Sequence, residues 1–159
     1  MAEGKPLVGV DIGATSIKVC QLKEGRKGYG LVRLGFHDLE PQTIVDRHVM
    51  NAQAVTDALL ATFQKAKVRQ KEVALSVSGQ SVISRKITVP IMTTAELDEQ
   101  IQWEAENHIP FDIKDVNVDY EILRRRPEAG QMDLLLVAAK RDEINDYVQI
   151  ARQAKLKPL

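Results

Sequence analysis

Cysteine is almost absent from this chain: Cys20 is the only one in 159 residues. No internal disulfide can form, which is consistent with a reducing compartment, and Cys20 reads as a small buried strand residue. The three histidines, His37, His48 and His108, are scattered without zinc-ligand spacing or a partnering cysteine, so no metal centre is expected from them. Charge of one sign is also missing. Lys+Arg and Asp+Glu each number 22, which leaves no net field for nucleic acid or an anionic membrane. The basic stretch Lys65, Lys67, Arg69, Lys71 has no aromatic residue interleaved and suits the C-terminal end of a helix. The longest apolar run, Leu134–Ala139, is far too short to cross a bilayer. Met1–Pro6 has no apolar signal-peptide core, so export is not expected. Neither G-x-x-x-x-G-K-[ST] nor a G-x-G-x-x-G run entering a helix occurs, which removes the two commonest nucleotide fingerprints. With 44% apolar and 28% charged residues the composition is that of a globular protein.

What is present is concentrated in Leu7–Lys18. Leu7–Val10 read as a buried strand and Ile17–Leu22 resume strand character a few residues later. Between them stands a tight hairpin rich in glycine, hydroxyls and one carboxylate. Gly13 is expected to turn with positive φ and to let the backbone approach a ligand. Successive amide groups through Gly13, Ala14, Thr15 and Ser16, with the two hydroxyls, make a concave anion site. Asp11 is placed to hold a hydrated magnesium ion, and Lys18 to offer phosphate a point charge. The same residues are also ordinary turn chemistry.

The rest reads as α/β. A third strand, Gly28–His37, completes an antiparallel meander. Asn51 caps a helix to about Lys67, with Val55, Leu59 and Phe63 on its apolar face. A strand over 72–78, with Val73, Leu75 and Val77 on one side, ends at Gly79. A boundary is placed near Gln80, giving units 1–79 and 80–159. The second is expected as β-α-β-β-α with its helices on one face. Its elements are a strand from Ser81 to Val89 and a helix opened by the Thr93-x-x-Glu96 capping box. That helix, acidic on its outer side, ends before Pro110. Alternating Val116, Val118, Tyr120 and Ile122 form a strand, and Met132–Lys140 form another after a turn at Pro127–Gly130. A last helix is capped by Asp142, with Ile144, Val148 and Ala151 apolar. The end at Lys157-Pro158-Leu159 reads as a helix exit heading for a further strand. With too few helices to cover an open sheet, the chain is expected to be the N-terminal piece of a longer protein.

Asp11–Lys18 resembles the first phosphate hairpin of the actin-like (RNase H-like) ATPase superfamily, which includes actin, Hsp70-type chaperones, sugar kinases and FtsA. Within it the chain resembles the PilM family of type IV pilus assembly proteins. That resemblance is carried by Leu7–Lys18, Gln100–Asp112, Val116–Ile122, Leu134–Lys140 and Ala154–Pro158, the Trp-Glu-Ala…Ile-Pro-Phe stretch being the most specific. It implies an actin-like N-terminal lobe carrying an inserted subdomain, with ATP bound between two lobes. It further implies Asp11 near Mg, Gly13, Ala14, Thr15 and Ser16 around the phosphates, and Lys18 on the β/γ-phosphates. The implied partner is the cytoplasmic N-terminal peptide of a PilN-type inner-membrane protein, held in a groove of the first lobe and inserted subdomain. Other pilus inner-membrane and motor components are implied as well, with a cytoplasmic location peripheral to the inner membrane, no insertion into it and no nucleic acid. The second phosphate hairpin, the adenosine pocket and the second lobe have no counterpart in these residues. The resemblance implies at most slow ATP hydrolysis by the full-length protein; no catalytic residue is assigned, and the chain alone is expected to be inactive and to bind ATP poorly. A sugar kinase of the same superfamily and an FtsA-like membrane anchor are the alternatives.

Overall fold

The computed structural model describes residues 7–46, 48–79 and 82–159. The segment Met1–Pro6, and Gln80 and Ser81, on which the expected boundary and strand start fall, lie outside the described residues. In chain order the first elements are β1 (Val8–Ile12), β2 (Ser16–Gly25), β3 (Gly28–Asp38), β4 (Ile44–Val45), β5 (His48–Val49), α1 (Ala52–Lys65) and β6 (Glu72–Leu75). There follow β7 (Val82–Pro90), α2 (Thr94–His108), β8 (Val116–Arg126), β9 (Gln131–Lys140), α3 (Arg141–Gln153) and β10 (Lys157–Pro158).

The chain divides into two compact units, one of Met1–Ser76 with Asn145–Leu159 and the other of Val77–Ile144. The first crossing falls between Ser76 and Val77 and not at the expected residue 80, and the last 15 residues (145–159), placed by the sequence reading in the second unit, belong to the first. Long-range pairing decides this. The two-residue β10 adds in parallel to β6, with Lys157 opposite Glu72 and Pro158 opposite Val73, and no local signal in 145–159 names that partner.

In the first unit a five-stranded sheet runs in the order β10-β6-β1-β2-β3, while β4 and β5 form a separate ribbon. The β1-β2-β3 meander is antiparallel, and β6 joins β1 in parallel. Alternation puts Val8, Val10, Ile12, Ile17 and Val19 on one face, all buried. Val55, Leu59 and Phe63 of α1 are buried in the same core. Burying such a side chain stabilises by roughly 1.5–3 kcal/mol, so these positions supply much of this unit's stability. Asn51 caps α1 as expected, its Oδ1 accepting from Ala54 N at 3.0 Å. From α3, Gln153 accepts a hydrogen bond from Thr56 of α1 at 3.2 Å. The helix buries Tyr147, Ile150 and Ala151, so its inward stripe is rotated from the expected Ile144, Val148 and Ala151. Asp142 lies inside its first turn and does not precede it; there its charge still favours the helix dipole. The strand expected over 72–78 stops at Leu75.

The opposite face of this sheet is different. The apolar residues of edge strand β3 stay in solvent there, Leu34 at 65% and Phe36 at 63% exposure.

In the second unit β9 is the centre of a three-stranded sheet, order β7-β9-β8, antiparallel throughout. Helix α2 lays Leu97, Ile101 and Ala105 on one face, against Ile87, Val89, Met132, Leu134 and Leu136. The capping box forms as expected: Thr93 N donates to Glu96 Oε2 at 2.7 Å and Glu96 N to Thr93 Oγ1 at 3.3 Å. Ile109 at the helix exit is buried in this core, and Phe111 packs against it beneath Lys140, whose Nζ stands 5.0 Å from the ring centre. The Ile-Pro-Phe exit is thus a packing device of this unit. Only α2 is dedicated to this sheet, contrary to the expected pair, because most of α3 belongs to the first unit.

Candidate functional site

The hairpin joining β1 and β2 is the short loop Gly13–Thr15. It is closed by Gly13 N donating to Ser16 O at 2.9 Å. Gly13 is not among the glycines with positive φ, which are Gly28, Gly79 and Gly130. The expectation of a left-handed turn there is corrected: glycine is favoured by close approach, since a Cβ would lie a tight 3.2 Å from the Ser16 carbonyl oxygen. The Thr15 carbonyl accepts from Leu39 N at 2.8 Å, which ties the loop to the exit of β3. The amide groups of Ala14 and Thr15 donate to nothing among the described residues. Two such neighbouring N–H groups, with an exposed Thr15 hydroxyl beside them, are what an anion needs from a backbone.

Asp11 and Lys18 are directly opposed in the β1–β2 ladder, and Lys18 Nζ donates to Asp11 Oδ2 at 3.0 Å. Both are more than half exposed. Such an exposed pair contributes at most about 1 kcal/mol, so a ligand that offers phosphate to the lysine and a metal ion to the carboxylate can separate them at small cost. On the same sheet face, two residues along each strand, come Gly9 and Cys20, with Ala74 of β6 opposite Gly9. These small side chains leave a shallow depression of about 330 Å³, lined by Gly9, Asp11, Lys18, Cys20, Ala74 and Ser76 among others. The structure therefore gathers Asp11, Lys18 and a depression on one face, with Gly13, Ala14, Thr15 and Ser16 at its end.

The floor of small residues was not among the sequence candidates. Its signal was present as Gly9, Cys20 and Ala74 at alternate strand positions, but their adjacency depends on the parallel β1–β6 register. Cys20, expected to be buried, is only partly so. Among the described residues no group of three or more His, Cys, Asp or Glu is arranged to hold a metal ion. A magnesium ion here would thus rest on Asp11 with water and phosphate oxygens completing its shell.

The family model for the type IV pilus assembly protein PilM matches residues 9–159. The chain belongs to the PilM family. With that, the sugar-kinase and FtsA-like readings of the hairpin give way. A solved PilM, in a structure described as the PilM-PilN type IV pilus biogenesis complex, superposes with a TM-score of 0.85 at 28% identity. It covers 98% of this chain, whereas this chain spans only 46% of that one. The architecture is therefore that of the actin-like PilM fold over about half of its length. The cytoplasmic domain of EpsL, an inner-membrane component of the type II secretion system of Vibrio cholerae, superposes at TM-score 0.61 with 11% identity. The match covers 98% of this chain and 56% of that domain, a likeness of fold. No helix among the described residues is long and apolar enough to cross a membrane.

Proposed function

We propose that this PilM-family protein is a nucleotide-responsive scaffold of type IV pilus assembly. In this reading it binds ATP with magnesium at the β1–β2 hairpin and the cytoplasmic N-terminal peptide of a PilN-type inner-membrane partner. The observation that carries the nucleotide half is the Asp11–Lys18 pair beside a floor of small residues, next to the free amides of Ala14 and Thr15. When bound, magnesium would neutralise phosphate charge. Lys18 would leave Asp11 for a phosphate oxygen, Asp11 would hold the hydrated metal, and the hairpin amides would fix the phosphate chain. The partner half is supported by the family and by the PilN seen with the similar PilM. Attachment to a membrane through such a partner follows from that half. Turnover is not part of the proposal.

The test is calorimetry of the full-length protein with ATP and magnesium. Lys18→Ala and Asp11→Ala should each weaken binding by about ten- to a hundredfold, the scale of losing a charge-assisted contact of about 1.5–3 kcal/mol. Binding unchanged by both substitutions would remove the hairpin from the nucleotide site. Capture of a PilN-type N-terminal peptide, with and without nucleotide, tests the partner half separately.

A further inference from the structure

Trp103 is the chain's only tryptophan, and it stands 63% exposed on α2. The helix places Leu97, Ile101 and Ala105 on the sheet, which turns Trp103 to the opposite, outward side. Its neighbours one turn away on the helix surface are Glu99 and Gln100 before it and Glu106 and Asn107 after it, so that a carboxylate stands on either side along the helix. Both carboxylates are exposed, and neither makes an ion pair among the described residues. The other three carboxylates of α2 are occupied: Glu96 in the capping box, Asp98 by the Tyr120 hydroxyl at 2.6 Å, Glu104 beside His108 at 3.8 Å. The helix carries no lysine or arginine, although the chain as a whole is neutral.

We infer that the outward face of α2 docks a cationic segment of a protein partner, with an arginine stacked on Trp103 between Glu99 and Glu106. An indole face attracts a guanidinium through its quadrupole and gives it a flat apolar surface. Carboxylates one turn to either side can then take its N–H groups. Exposed tryptophan ringed by polar residues is also the composition of interface anchors. The local charge excludes an anionic lipid surface as occupant, and the described residues hold no ligand set for a metal ion that would account for the carboxylates. This surface lies in the second unit, away from the hairpin residues in sequence, and rests on neither half of the proposed function.

The experiment is fluorescence anisotropy of a labelled arginine-rich helical peptide titrated with the full-length protein, alongside versions carrying lysine or glutamate for arginine. Saturable binding is expected for the arginine peptide, weaker binding for lysine, which cannot stack as a plane, and none for glutamate. Trp103→Ala and the double change Glu99→Lys with Glu106→Lys should each weaken binding about tenfold or more. Glu128→Lys, an exposed charge reversal on another element, should leave it unchanged. Full affinity in the Trp103 variant would overturn the inference. So would equal weakening by Glu128→Lys, which would reduce the effect to net charge. Unchanged thermal melting of the variants, expected for exposed positions, separates lost docking from lost folding.

Discussion

Gly35 of β3 and Ala66 at the C-terminus of α1 meet so closely that a Cβ on the glycine would lie 2.7 Å from the alanine methyl. The same Cβ would come within 3.3 Å of the Thr62 carbonyl oxygen and of a Val19 methyl. Backbone, helix and neighbouring strand all bound the space, so no flexible side chain can yield. Gly35→Ala should destabilise the protein by about 1–3 kcal/mol, the range for overpacking, read as a lower denaturation midpoint with unchanged slope. A variant as stable as the parent would show that α1 slides freely on β3.

Asp133 is buried on β9 in the second unit, where it accepts from Thr88 Oγ1 at 2.9 Å and from Arg126 Nη2 at 2.6 Å. Lys86 Nζ is 3.4 Å away. The Thr88 hydroxyl foremost, with Lys86 and Arg126, holds its carboxyl below the usual aspartate value, against the opposing effect of burial. A depressed pKa means that the folded state prefers the charged form. Its stabilisation is therefore complete above the unfolded value of about 3.9 and is lost as pH falls through the lower folded value. Asp133→Asn should lower the melting temperature at pH 7, with the gap to the parent narrowing in acid below about pH 4. A gap that stays constant down to acid would contradict the assignment.

Lys67 and Lys155 follow α1 and α3 with φ of 55° and 57°, in the left-handed region. In each case the next amide reaches back into the last turn, Val68 N to Phe63 O and Leu156 N to Ala151 O, the bond that makes glycine the favoured residue at this position. Lys67→Gly or Lys155→Gly should raise stability by about 0.5–1 kcal/mol by removing the Cβ strain, measured by chemical denaturation. Loss of stability would mean that the lysine side chains contribute more than the strain costs.

Gly9 has room for a Cβ, its nearest approach being 3.7 Å to the Cys20 carbonyl oxygen. Gly9→Val should therefore fold at least as well as the parent, as β-branched residues favour strands. It should weaken ATP binding by the full-length protein by raising the floor of the depression beside Asp11 and Lys18. Unchanged ATP affinity with this valine in place would separate the depression from the nucleotide.

The sequence alone was enough for what depends on neighbours along the chain. The hairpin at Asp11–Lys18, the Asn51 cap, the Thr93–Glu96 box and the alternation of Val116–Ile122 are local devices, in which spacing and residue type determine geometry over a few bonds. Tertiary structure decided what depends on register between distant segments. The return of β10 to β6 moved the last 15 residues (145–159) into the first unit. Parallel pairing of Gly9 with Ala74 made the floor beside Lys18. An extra residue at the irregularity between Ile122 and Arg124 switched which side of β8 faces Asp133 and carried Arg126 to that carboxylate. Each of these gains its energy only when two stretches far apart in sequence meet, so periodicity within either stretch carries no record of it.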